Sequence, residues 1–305
     1  MANTSFSDLK KSRQAQIDKL TQEISKVSSP QQGNSGPDER FWEPTVDKAG
    51  NGYAVIRFLP APKGEDFPFV RVFSHGFKGP TGSWYIENSL TTIGKQDPCS
   101  DFNTTLWNSG SESDKEQARA QKRKLHFISN IMVVKDSENP QNEGKVFLFK
   151  YGKKIFDKLN KAMKPDLESE VKINPFDLWK GANFKLKMTR QSGFPNYDES
   201  TFLTPGPLSE DDAELEKVWK SEYSLKEITD PKNFKTYDQL KARLEDVLGL
   251  SSGATKTYAP TPAPKVTKAD VVEDDEVPFT ASKKVPVVED DEDEDLAEFR
   301  RLIAD

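Results

Sequence analysis

The chain predicts a mainly β fold with added helices, a small barrel or curled sheet of the α+β class, and three observations carry that expectation. Short runs rich in aromatic and branched residues follow one another from Tyr53 to Met188. Helical periodicity is confined to segments inserted among those runs or appended after them. The aromatic residues, 19 Phe, 7 Tyr and 5 Trp in the whole chain, are concentrated between Phe41 and Tyr237, which leaves both ends of the 305 residues without the means to build a core.

Residues 7–27 read as a basic amphipathic helix, because Ile17, Leu20, Ile24 and Val27 recur at helical spacing among Lys10, Lys11, Arg13, Asp18 and Lys19. A Ser, Gln, Gly and Pro linker, SSPQQGNSGPDE at 28–39, tethers it to the body. Strands are expected at 53–60 (YAVIRFLP), 69–73 (FVRVF), 83–87 (SWYIE), 127–134 (FISNIMVV), 146–151 (VFLFKY) and 184–188 (FKLKM). A helix is expected at 153–163, where Ile155, Phe156, Leu159 and Met163 form an apolar face opposite Lys154, Lys158 and Lys161. Further helices are expected at 210–222 and 237–248. After Gly249 a Pro, Thr and Ser linker leads into an acidic tail. The expected organisation is a basic helix and linker (1–36), a core (37–250), and a linker with the tail (251–305).

Charge is segregated along the chain. Glu289–Asp295 is an unbroken run of seven acidic residues, and residues 270–305 hold 14 acidic against 4 basic side chains, a net of −10. The whole-chain charge is −6, so residues 1–269 carry about +4. A segment so charged and so poor in apolar residues is expected to be disordered. The stretch from Lys122 to Arg190 holds 16 basic against 8 acidic residues, a net of +8, and opens with the triplet Lys122, Arg123, Lys124. It is threaded with Phe127, Phe147, Phe149, Tyr151 and Phe184. In KVFLFKY, alternation puts Lys145, Phe147, Phe149 and Tyr151 on one strand face. Cations interleaved with rings suit nucleic acid, since phosphates attract the first and splayed bases stack on the second.

Catalytic chemistry has few candidates. One cysteine, Cys99, and two histidines, His75 and His126, are too few for a closed four-ligand zinc site. Asp198 with Glu199, and Asp211 with Asp212, are adjacent acids of the kind that solvate loops and cap helices, and neither a phosphate-binding glycine motif nor a nucleophile motif is present. No apolar run approaches eighteen residues and no signal-peptide pattern opens the chain, so the expectation is a cytoplasmic protein without a membrane partner.

Several segments together are similar to the replication single-stranded DNA-binding protein of T-even-like tailed phages. They are AGNGYAVIRFLP (49–60), SHGF and GSWYIE (between 74 and 87), VVKDSENPQNEGKVFLFKYGKKIFDKL (133–159), GANFKLK (181–187) and SGFPNYDES (192–200). The resemblance implies an OB-fold-like core, a basic N-terminal region for cooperative self-assembly, and an acidic tail, here residues 270–305, that recruits phage replication and recombination proteins in the infected host cell. It assigns DNA contacts to Lys122, Arg123, Lys124, Phe127, Phe149, Tyr151, Phe194, Tyr197, Trp84 and Trp107, and self-assembly to Lys10, Lys11, Ser12 and Arg13. It also implies a structural zinc. Here His75 and Cys99 stand at two ligand positions while Asn88 and Phe102 occupy the others, so the metal is expected to be lost and no cofactor retained. The function expected is therefore non-catalytic, cooperative coating of single-stranded DNA during replication, recombination and repair. The alternatives are a single-stranded RNA-binding protein, a metal-dependent single-strand nuclease, and a scaffold whose tail does the main work.

Overall fold

The computed structural model describes residues 38–250, apart from 168–170 and 192–193; the helix expected over 7–27 and the acidic tail lie outside the described residues. The strands are β1 (Gly52–Phe58), β2 (Val70–Lys78), β3 (Trp84–Asn88), β4 (Lys124–Asp136), β5 (Val146–Tyr151), β6 (Phe184–Gln191), β7 (Phe194–Asn196) and β8 (Thr201–Phe202). The helices are α1 (Pro98–Asn108), α2 (Glu112–Ala120), α3 (Lys153–Met163), α4 (Asp212–Lys220) and α5 (Tyr237–Leu248). This is an α+β protein on a mostly antiparallel sheet, ordered β3-β2-β4-β1-β6-β7, with β5 added to β4 and β8 to β6.

The 13-residue β4 organises the sheet. Its first part pairs with β2 and its second with β1, while β5 pairs along its middle. Three partners on one long strand require it to coil, and a bulge in β4 at Val134, opposite the Val55–Ile56 step of β1, adds local twist. Strand β1 is buried on both faces from Ala54 to Phe58, as its neighbours β4 and β6 on either side demand.

The inner face of the curl carries the main core. Ile56 and Phe58 of β1, Phe127, Ile131 and Val133 of β4, Phe149 and Tyr151 of β5, and Phe184 and Leu186 of β6 meet the apolar stripe of α3, Ile155, Phe156, Leu159 and Met163. Burial of each such side chain contributes about 1.5–3 kcal/mol. On the opposite face of β1, fully buried Arg57 directs Nη2 to the carbonyls of Asp177 (2.7 Å) and Gly206 (2.9 Å), fixing two crossing loops against the sheet. Burial lowers that guanidinium to about 10, against the attraction of Asp177. It stays charged near neutrality.

A second cluster joins Phe77 and Tyr85 of β2 and β3 to Cys99 of α1 and to Leu244, Val247 and Leu248 of α5. Helix α5 opens with a capping box between Thr236 and Gln239 and ends at Gly249, whose φ of 70° suits a residue without a Cβ. Helix α1 carries only a short apolar stripe, Cys99 with the partly buried Phe102, and α2 carries none. They bury only Pro98, Cys99 and Asn103, and Ala118, respectively.

Candidate nucleic-acid interface

The site is built from two alternations in register. Strand β2 sets Arg71, Phe73 and His75 on one side, and its pairing with β4 lays Arg71 beside Phe127 and Phe73 beside Leu125. Arg71, Phe73 and Leu125 are half-buried. The Arg123 guanidinium lies 4.4 Å above the Phe73 ring, so a cation is seated on an aromatic face. Lys122 and Arg123 form the link between α2 and β4, and Lys124 begins β4. In an extended chain neighbouring side chains diverge, and Lys124 lies instead toward His126. Desolvation drives the His126 imidazole down to about 3, with Lys150 and Lys124 adding to the effect, so this ring is neutral at pH 7 between two cations. The triplet therefore serves both faces of the sheet.

The row predicted in KVFLFKY does share one strand face, but that face is the core. Phe127, Phe149 and Tyr151 are 2%, 3% and 3% exposed, so the structure places them inside and not among the surface rings. Phe127 stacks on Phe156 at 3.9 Å between centroids, Phe149 stacks on Tyr151 at 5.5 Å, and Tyr151 receives or gives a hydrogen bond at Ser129 Oγ (2.9 Å). The physical reason lies on the other side of β5, where Leu148 is also fully buried, leaving Lys150 as the exposed residue of the strand interior. The other predicted rings stand elsewhere. Phe194 on β7 and Trp84 on β3 are exposed, Tyr197 is half-buried against the main core, and Trp107 of α1 carries the Arg119 guanidinium at 5.3 Å.

The segment presenting Phe194 and Tyr197 is tied by its own polar groups. Asn196 Nδ2 donates to Gln191 Oε1 (2.9 Å) and Asp198 Oδ2 (2.7 Å), while the Asp198 backbone N–H donates to Asn196 Oδ1 (2.8 Å). Lys158 of α3 donates to the Asp198 carbonyl (2.9 Å), and Lys187 pairs with Glu199. Asp198 and Glu199 are thus engaged by lysines and a turn. Asp211 caps α4 through the Ala213 N–H, and Asp212 accepts from Trp179 Nε1. Lys10, Lys11, Ser12 and Arg13 lie outside the described residues. Sequence reasoning missed Phe73; the signal was the alternation of Arg71 and Phe73 in FVRVF.

His75 and Cys99, the two residues that the resemblance assigns to zinc, converge on the Gln121 carbonyl, and His75 Nε2 is a buried nitrogen without a hydrogen-bond partner. His75 Nδ1 meets the Gln121 carbonyl at 2.9 Å, and its Nε2 lies 3.2 Å from Asp97 Oδ1. Asp97 already accepts the backbone N–H groups of Cys99, Ser100 and Leu90. Burial pushes the Cys99 thiol well up, with the Asp97 charge adding. Asn88 is exposed on β3, and Phe102 packs as a ring in the second cluster. Among the described residues no group of three or more His, Cys, Asp or Glu is disposed to hold a metal ion.

A mostly antiparallel sheet with a guanidinium seated on a ring, lysines at the same strand end and further rings exposed on β3 and β7 is an arrangement of the kind that suits a nucleic-acid-binding protein. The chain belongs to the gp32-like DNA-binding family: the family model described as gp32 DNA binding protein like matches residues 50–248. It is similar to the single-stranded DNA-binding protein of Enterobacteria phage T2, at 38% identity over 277 residues, covering 89% of each chain. The protein of the same name from Enterobacteria phage T4 is 37% identical over 281 residues, 90% of this chain and 91% of that one. A third, from Escherichia phage SV14, is 44% identical over 80 residues, 26% of this chain and 70% of the relative. This is a family of binding proteins and not of enzymes. No helix among the described residues is long and apolar enough to cross a membrane.

Proposed function

We propose that the chain coats single-stranded DNA without reading its sequence, in the replication, recombination and repair of phage DNA within the infected cell. The observation that carries this reading is similarity over about nine-tenths of both chains to proteins named for single-stranded DNA binding. The geometry supports it. Arg123 on Phe73, with Arg71 and Lys124 nearby in the register and Lys122 just before them in the chain, offers phosphate contacts beside a half-buried ring. Neutralised phosphates provide most of the affinity, and stacking selects the single-stranded form. Preferential binding to single strands then destabilises duplex by mass action.

The coiled β4 with its three partners supports an OB-type core over residues 37–250. Residues 1–36 serve self-assembly along DNA, with Lys10, Lys11, Ser12 and Arg13 in the contact. The tail, with its net of −10, competes with DNA for the cationic surface and recruits replication and recombination proteins. The test is a salt titration of the full chain on equal-length deoxythymidine, deoxyadenosine, RNA and duplex oligomers. Affinity for both DNA homopolymers is expected to fall linearly on a logarithmic salt scale and to exceed that for duplex at every salt concentration. Duplex binding as tight as single-strand binding, or affinity indifferent to salt, would overturn the reading; tighter binding to RNA would reassign the substrate.

A further inference from the structure

The residue before the basic triplet is held by side chains of two other elements. Gln121 caps the end of α2, and its carbonyl is one of the groups that a helix leaves without an intrahelical partner. Asn103 Nδ2 of α1 donates to it at 3.0 Å, and His75 Nδ1 of β2 lies 2.9 Å away. A carbonyl only accepts, so the proton of that contact sits on Nδ1. The Cys99 thiol approaches the same oxygen at 3.9 Å. His75, Asn103, Cys99 and Gln121 are all buried. On the far side of the ring Nε2 lies 3.2 Å from Asp97 Oδ1 but makes no hydrogen bond, while Asp97 caps α1 and holds the Leu90 N–H. One carbonyl thus ties β2, α1 and the end of α2 together.

Two residues farther along, the same strand β2 receives the chain again. Phe73 stands two positions before His75 and seats Arg123, and Ser74 pairs with Lys124 in the β2–β4 register. The chain leaving α2 is therefore fixed at Gln121 and Arg123 by neighbouring residues of one face of β2, and its direction between these points is set. We propose that this hydrogen-bonded clasp fixes the chain where it leaves α2, and that His75 and Asn103 are positioning residues that aim Lys122, Arg123 and Lys124 at DNA. The proposal rests on the reading of the triplet as part of the DNA surface.

The test is a double-mutant cycle in the full chain, read by salt titration on a deoxythymidine oligomer, with zinc content measured on each purified protein. His75→Leu removes the donor to Gln121, and His75→Asn keeps an N–H near the position of Nδ1. His75→Leu is expected to weaken binding about tenfold and to lower the salt slope by about 0.7 for each phosphate no longer neutralised, and His75→Asn to recover most of both. In a background with Lys122, Arg123 and Lys124 all changed to Ala, His75→Leu is expected to change affinity less than about twofold, because its effect runs through groups already absent. Asn103→Leu, which cuts a second arm of the clasp, should repeat the pattern and serves where His75→Leu fails to fold. If the triple Ala variant binds like the parent chain, the DNA-surface reading fails. If that variant weakens but His75→Leu and Asn103→Leu leave the slope unchanged, or weaken binding additively with it, the clasp fails alone. About one tightly held zinc per chain, with chelation costing affinity, would also overturn the proposal.

Discussion

Phe127→Ala and Arg123→Ala separate a core row from a binding surface. The Phe127 ring is 2% exposed, stacks on Phe156 at 3.9 Å and 4° between planes, faces Tyr151 at 5.8 Å and meets the Phe69 edge at 5.9 Å. Emptying such a site costs about 3–5 kcal/mol, through the transfer energy forgone and a cavity that the strands cannot close. For a domain of this size that lowers Tm by roughly 6–20 °C. Arg123 is half-buried on one ring, so its removal costs about 1 kcal/mol or less of stability, but takes away a cation for phosphate and about 0.7 of the salt slope. The assays are urea unfolding for stability and salt-titrated oligomer binding well below the unfolding midpoint. Phe127→Ala is expected to lose stability and retain the slope, and Arg123→Ala the reverse. If Phe127→Ala kept its stability within about 1 kcal/mol yet lost most of its affinity, the ring would have to leave the core to meet a base, and the assignment of the row to the interior would be refuted.

Burial, with Glu65 adding, raises the Glu222 carboxyl from 4.5 to about 9, so the folded chain holds a proton that the unfolded chain releases; stability is full below about pH 4.5 and falls toward pH 9 by at most about 1.4 kcal/mol per unit. Glu222→Gln should flatten urea stability between about pH 5 and 8, and equal slopes for both proteins would discard this account. A Cβ on Gly79 would stand 2.2 Å from the Val247 carbonyl, so Gly79→Ala should displace α5, cost about 1–3 kcal/mol and speed amide exchange in that helix; unchanged exchange would show that the helix is not seated by this contact. Deleting residues 1–36 is expected to spare binding to a short oligomer and abolish cooperative coating of long strands, and isotherms that stayed cooperative would give this segment another role. Truncation after Lys268 should speed association at low salt, where screening is weak, and rates unchanged at low and high salt alike would remove the competing role of the tail.

Elements with a strong period were legible in the sequence. The apolar stripe of α3 and the run at 146–151 are found with the bounds that periodicity assigned, as is α5. Helices α1 and α2 were not legible, because their fully buried residues are only Pro98, Cys99, Asn103 and Ala118, and the one short stripe, Cys99 with Phe102, is too brief to set a period. The usable signal was Asp97 followed by Pro98, an N-cap and a proline at the first helical position. At the site, charge revealed the triplet, but alternation alone could not say which face of β5 was core, since both faces bear apolar residues. The contact between His75 and the Gln121 carbonyl had no sequence signature at all. A main-chain oxygen is present at every residue, and only the fold selects one.

The burial of the aromatic row changes how binding is distributed over the surface. A contiguous Lys-Arg-Lys run suggests three cations on one strand of phosphates, but the extended backbone turns Arg123 toward Phe73 and Lys124 toward His126. Arg123 is the member held in a defined place by a ring, so under the proposed function it would make a localised phosphate contact, whereas Lys124 and Lys150 on the His126 side would contribute through the field they share. The rings of the row, Phe127, Tyr151 and Phe149, are spent on the core, where they pack with Ile155, Phe156, Leu159 and Met163. Under the proposed function base stacking would fall to the rings at the surface, Phe194 and Trp84 with the partly covered Phe73 and Tyr197. Such rings accept any base on a flat face, while the cations track a backbone common to all sequences, and that division of labour follows from a sheet that keeps its largest aromatic cluster for its own core.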